Sequence, residues 1–291
     1  MVIPWHWGKT KGYRPLDDGP PETRTTYRST RPFPLPYEIE EMIIAHLARD
    51  FRTLIACSMT CRSWYTAAVS HLHYTLTLRG NTPEVGRSKL EPLSKLRELG
   101  LAPLVKEIRV HQWRGGSAWF MPRAFSGHAF WAFVNIQALR LKEPDIYLFI
   151  PDVKHHFEHF FPTLRSITLH NPRCTPRQLS HFLSLFPNLN DIEIWGYRHP
   201  PDATTSYPMP VPSSVPKLRG RLVLHGFTLV ETWTDLVTSC DGLRFHHIDL
   251  RESTGCAPVL LEACAKTLDT LRFSAIDGSV GERTRTVYVR V

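Results

Sequence analysis

The stretch Leu164–Trp195, LRSITLHNPRCTPRQLSHFLSLFPNLNDIEIW, decides how most of this chain is read. It begins and ends on one figure, apolar-x-x-apolar-x-apolar. Leu164, Ile167 and Leu169 fill it in LRSITL, and Leu189, Ile192 and Ile194 fill it in LNDIEI. The last two apolar positions of each copy alternate, as a short half-buried strand requires. Between the copies, Thr175 and Pro176 precede RQLSHFLSLF, in which Leu179, Phe182, Leu183 and Phe186 recur at helical spacing. Thr175 is a suitable helix cap and Pro176 a suitable first-turn residue. The stretch therefore predicts strand, helix, strand.

Working outward, the figure returns along the chain. Val105, Ile108 and Val110 fill it, then Ile136, Leu139 and Leu141, then Phe245, Ile248 and Leu250, and finally Leu268, Leu271 and Phe273. A weaker copy, RGRLVL, keeps only Leu222 and Leu224. First positions fall at 105, 136, 164, 189, 219, 245 and 268, with steps of 31, 28, 25, 30, 26 and 23 residues. Helical connectors are also expected around Trp233, Leu236 and Val237, and around Leu260, Leu261 and Cys264, with Pro258 in the first turn of the latter. This spacing resembles irregular leucine-rich repeats. The resemblance implies parallel strands whose units bury their faces only by stacking into a solenoid. Family repeats usually carry asparagine or cysteine after the strand; LHNPRC has Asn171 and Cys174, but most copies here have neither. The competing expectation is a doubly wound α/β domain with a ligand crevice. TVYVRV, near residue 290, reads as a last strand covering the sheet edge.

Ahead of the repeats lies LPYEIEEMIIAHLARDFRTLIACSMTCRSWYTAA, residues 35–68. Ile39, Met42, Ile43 and Leu47 make one helical stripe, with Pro36 in the first turn. Asp50 caps a second helix bearing Leu54, Cys57 and Cys61. Arg62–His71 forms a third helix with Trp64 and Val69. Three helices this short bury little alone, so an apolar face is expected to dock on something else. The block resembles the F-box family. Leu35-Pro36 with Glu38-Ile39 matches the family start, Ile43 and Leu47 follow at family spacing, and Leu54, Cys61-Arg62 and Trp64 match the later signature. DFRTL departs from the acidic or apolar segment common there. The resemblance covers residues 35–75. It implies binding to the adaptor subunit of a cullin-RING ubiquitin ligase and, through it, to the cullin. Leu35, Pro36, Ile39, Leu54, Cys61 and Trp64 would lie at or near that contact, with Ile43 and Leu47 in the three-helix core.

The expected organisation is a flexible arm over 1–34, the helical block over 35–75 and the repeat array over 76–291. The array carries an aromatic-rich insertion at 112–133 and a proline-rich loop at 198–217. The expected fold class is α/β with a parallel sheet. Trp113 and Trp119 in the first insertion, and Trp195 after LNDIEI, are candidate substrate contacts, since tryptophan often anchors interfaces.

Composition narrows the function classes. The formal net charge is +8, but the basic residues are scattered and no nucleic-acid motif accompanies them. No eighteen-residue apolar run suggests a membrane span, and no signal peptide is legible. Six cysteines without a CxxC pair suggest buried thiols in the cytoplasm or nucleus. His155 and His159 have helical metal-ligand spacing but no third ligand, so no metal or other cofactor is expected. His246 and His247, in a strand, should point to opposite faces. No nucleophile elbow or phosphate loop is present. The expectation is a non-enzymatic substrate receptor. A scaffold using its F-box outside ubiquitin transfer, or an α/β enzyme with an unrecognised site, are the alternatives.

Overall fold

In the computed structural model the chain divides into two compact units, Met1–Val69 and Ser70–Val291. The structure describes residues 35–80, 91–112, 130–146, 162–197, 218–226, 243–251, 257–276 and 284–290. The arm 1–34, most of the aromatic insertion with Trp113 and Trp119, the pair His155 and His159, the loop 198–217 and the expected helix around Trp233 lie outside them.

Among its described residues the first unit has three short helices: α1 (Tyr37–His46), α2 (Phe51–Ser58) and α3 (Arg62–Leu72), the last crossing the boundary between units. Its interior is small. Ile44 from α1, Leu54 and Cys57 from α2, and Ala67 and Ala68 from α3 are its buried apolar residues. Asp50 caps α2 as the sequence predicts, its Oδ1 accepting from the N–H groups of Arg52 and Thr53 at 3.1 and 3.2 Å. The expected core pair Ile43 and Leu47 is only half-buried, and Ile44 takes the core position. At 3.6 residues per turn the buried side of α1 is thus about 100° away from Ile43.

The second unit is α/β. One nine-stranded sheet runs in strict sequence order: β1 (Thr75–Gly80), β2 (Glu107–Gln112), β3 (Ala138–Lys142), β4 (Ser166–His170), β5 (Asp191–Trp195), β6 (Leu218–His225), β7 (Leu243–Arg251), β8 (Thr270–Ile276) and β9 (Thr284–Arg290). β1 to β8 pair in parallel, while β9 lies antiparallel on β8. Among the described strands the order never reverses, so they have no switch point of the kind that gives a doubly wound sheet its crevice.

Register lines the repeated figure into columns. Leu76, Ile108, Leu139, Ile167, Ile192, Leu222, Ile248 and Leu271 form one. Leu78, Val110, Leu141, Leu169, Ile194, Leu224, Leu250 and Phe273 form the next but one. Both columns face a single core shared with Leu93 of α4 (Glu91–Glu98), Leu179, Phe182 and Leu183 of α5 (Pro176–Ser184), and Leu260 of α6 (Ala257–Cys264). Burial of each such aliphatic side chain contributes about 1.5–3 kcal/mol before the entropy of ordering it. Thr175 and Gln178 close a reciprocal capping box on α5, fixing where this helix starts.

Hydrogen bonds repeat with the columns. Where the chain enters β2 to β5, two successive N–H groups donate to one carbonyl of the preceding unit. Lys106 and Glu107 donate to Tyr74, Gln137 and Ala138 to Lys106, Arg165 and Ser166 to Gln137, and Asn190 and Asp191 to Arg165. The Asn135 and Asn188 amides make equivalent bonds to the Pro103 and Pro162 carbonyls at 2.8 and 2.9 Å. After the strands, Glu143, Asn171, Gly196 and Gly226 each adopt a positive φ and donate N–H to the last residue of the next strand. That left-handed position explains the Asn171 of LHNPRC, since asparagine and glycine enter this region at low cost.

The sheet corrects three expectations. It begins with β1, a unit earlier than the periodicity announces, because half-buried His73 stands where the other copies have an apolar first residue. In β6 the first position is not Arg219, which is exposed, but the buried Leu218. A bulge makes this possible: Gly220 pairs with Phe245 and Arg221 with His247, leaving His246 as the extra residue. His246 and His247 are consequently both exposed instead of alternating.

Candidate functional site

The first candidate surface lies on the helical unit. About the α1 axis, Ile39 and Met42 stand about 140° and 160° from Ile44, on the opposite side of the helix. They are 41% and 57% exposed, and Leu35, just ahead of the helix, is 50% exposed. α1 is therefore apolar both inward and outward, a pattern of helices covered on both sides. Of the residues singled out in the sequence, Leu35, Pro36, Ile39 and Cys61 are exposed and Trp64 is half-buried. Leu54 is 1% exposed and belongs to the interior, because it faces the inner side of α2 together with Cys57. Met42, on the outer face, was not singled out; its i+3 spacing from Ile39 was the available signal. The Ser63 hydroxyl donates to the Glu40 carboxylate, tying α3 to α1. Three hydrogen bonds, led by that from the Thr53 hydroxyl, hold the Asp50 carboxyl below the usual range.

The second candidate is the polar face of the sheet, built from the positions that alternate with the apolar columns. Its middle column reads Thr77, Arg109, Arg140, Thr168, Glu193, Val223, Asp249 and Arg272 from β1 to β8. The next column reads His111, Lys142, His170, Trp195, His225, Arg251 and Ser274 from β2 to β8.

Two buried carboxylates organise this face. Glu107 accepts from Arg109 Nε at 3.0 Å and Nη2 at 2.8 Å, from Thr75 Oγ1 at 2.9 Å, and faces Arg140 Nε at 2.5 Å. Burial pushes its carboxyl up, but the Arg109 and Thr75 hydrogen bonds and the two guanidinium charges outweigh it and hold the group below the usual range. Asp249 is held by Arg251 at 2.9 Å, with Arg272 at 3.7 Å.

Trp195 lies between two imidazoles. It stacks on His225 at 3.4 Å between centroids with the planes 9° apart, and on His170 at 5.4 Å and 24°. His225 Nε2 is 3.2 Å from Glu193 Oε1. Burial, reinforced by Arg251, keeps the His225 imidazole below its ordinary pKa despite Glu193. Burial does the same to His170, with Arg140 and Lys142 adding to it against the opposing charge of Glu193. Both rings are thus held toward their neutral forms.

Beside the stack, a cleft of about 300 Å³ is lined by Arg109, Val110, His111, Arg140, Leu141, Lys142 and His170. Trp195, proposed from sequence, sits next to it; the cleft itself was not foreseen. Its signal was the residue directly after each copy of the figure, which is basic, imidazole or indole from β2 to β7. No three His, Cys, Asp or Glu side chains among the described residues are placed to hold a metal ion. No helix among them is long and apolar enough to cross a membrane. No protein-family model and no curated protein matches the sequence.

Proposed function

We propose that this chain is a substrate receptor of an SCF-type ubiquitin ligase, with residues 35–75 acting as an F-box and the sheet as a leucine-rich-repeat surface for a substrate protein. The observation carrying this reading is the outward apolar face of α1. Ile44, Leu54, Ala67 and Ala68 already fill the interior, yet Leu35, Ile39 and Met42 remain exposed beside it. An adaptor subunit covering them would bury a surface that a solvent-facing helix has no reason to carry. Strictly sequential strands, with hydrogen bonds recurring from unit to unit, support the repeat reading. On this reading the chain supplies proximity and no bond chemistry. One surface holds the ligase, the other holds substrate, and linkage raises the local concentration of acceptor lysines around the ubiquitin-loaded enzyme.

The test is capture of purified adaptor by full-length chain and by the double variant Ile39→Glu/Met42→Glu. Both positions are solvent-facing, so the variant should unfold at the wild-type midpoint and lose the adaptor. Undiminished capture by the variant, or none by the wild type, overturns the proposal.

A further inference from the structure

Resting on the receptor reading above, we propose that the cleft over β2–β4 binds an acidic peptide segment of the substrate. Charge complementarity carries it. Three permanent cations, Arg109, Arg140 and Lys142, line the cleft, and no carboxylate of the described residues does; Glu107 sits beside it, paired with the two arginines. Glu107 is buried and already bonded by Arg109, Arg140 and Thr75, so it fixes the guanidinium groups more than it screens them. Each guanidinium has five N–H donors, and the bonds to Glu107 use only part of that set. The arginine side chains are 41% and 49% exposed, leaving the remaining donors open to a ligand. Lys142 is exposed and makes no ion pair among the described residues.

The dimensions suit an extended peptide crossing the strands. Adjacent strands lie about 4.8 Å apart, so β2 to β4 spans about 10 Å, roughly the reach of three extended residues. Acidic side chains on alternate residues would face Arg109 and Lys142. One strand further, Trp195 offers an indole face beside them. A nucleic acid fits less well. Its phosphates repeat without interruption, and a backbone continuing past β4 would meet Glu193 and then Asp249 in the same column. A peptide can confine its negative charge to the cationic end.

The experiment follows fluorescence anisotropy of a short fluorescein-labelled peptide of alternating glutamate and glycine, titrated with full-length protein. A matching lysine–glycine peptide and a labelled single-stranded oligonucleotide run in parallel. The expected result is saturable binding of the glutamate peptide and none of the lysine peptide. Lys142→Glu should weaken binding by about tenfold or more, since it replaces attraction by repulsion at the site. Lys142→Gln, which keeps the strand and adds no repulsion, should weaken it less. Lys266→Glu makes the same net-charge change at an exposed lysine after α6 and should leave affinity within about twofold. Equal losses in Lys142→Glu and Lys266→Glu, equal binding of both peptides, no saturable binding, or tighter binding of the oligonucleotide would each overturn the proposal. Ile39→Glu/Met42→Glu should bind the peptide as wild type does. Failed adaptor capture by the wild-type chain, with intact peptide binding, would therefore sink the ligase reading and leave the cleft standing.

Discussion

Gly220→Ala tests whether the register shift between β6 and β7 at Gly220 requires a glycine. Gly220 has φ +93, and a Cβ built there would lie 2.1 Å from the Asn190 carbonyl oxygen and 2.8 Å from its carbon. Side-chain carbons do not approach backbone oxygens within about 3 Å, so β5 and β6 would have to separate locally. The positive φ alone costs an alanine about 1–2 kcal/mol. Separation also strains the bond in which Arg221 N–H donates to Asn190 at 2.7 Å. Losing a buried backbone bond costs a further ~1–3 kcal/mol. The expected destabilisation is therefore about 2–5 kcal/mol. Gly226 is the matched control: its φ is +67, but nothing stands within 4 Å of a Cβ. Gly226→Ala should cost only the conformational part, about 1–2 kcal/mol. Urea unfolding of the full-length variants, followed by far-UV circular dichroism with slopes compared for equal cooperativity, measures the difference. Equal losses in the two alanine variants would refute the steric account, and with it the claim that Leu218 reaches the core only through a glycine bulge.

Other outcomes follow from the packing and the charges. Ile44→Ala should cost the helical unit about 2–5 kcal/mol, enough to melt so small a core, while Ile43→Ala costs clearly less; residue-resolved hydrogen exchange over α1–α3 separates them. Because its folded pKa is depressed, Glu107 contributes stability that is complete above its unfolded pKa and is lost as pH falls through the lower folded value. Glu107→Gln should remove that acid-limb dependence and cost about 1.5–3 kcal/mol at neutral pH, read from unfolding midpoints across pH. Burial pushes the thiols of Cys174 and Cys264 up, whereas Cys61 is exposed. Mass-mapped maleimide labelling of the native protein should therefore modify Cys61 while leaving Cys57, Cys174 and Cys264 untouched until denaturant is added.

Much of the sheet was legible because its apolar columns recur in sequence as they do in space. The six-residue figure marked β2, β3, β4, β5, β7 and β8 through the same leucines and isoleucines that fill the core. It failed where one position carried the wrong chemistry. His73 hid β1, and Arg219 hid the shift to Leu218, since a bulge leaves no trace in an apolar count beyond its glycine. The helical unit was legible in its elements and less so in its faces. Ile43 and Ile44 are adjacent isoleucines, and only packing decides which turns inward. Leu54 matched a contact pattern yet closed the interior. The basic cleft was least legible, because Arg109, Lys142 and His170 are far apart in sequence and become neighbours only when strands align in register.

The reversed direction of β9 has a consequence for self-association. A run of like-directed strands is polar, and its far end repeats its near end. Copies of such a run can join head to tail without limit, as open filaments do. β9 travels against the eight strands before it, so a second copy arriving at this end meets a strand of the wrong sense. A second copy in the same orientation could pair with β9 only antiparallel, so the parallel series and its hydrogen-bond pattern stop at β8.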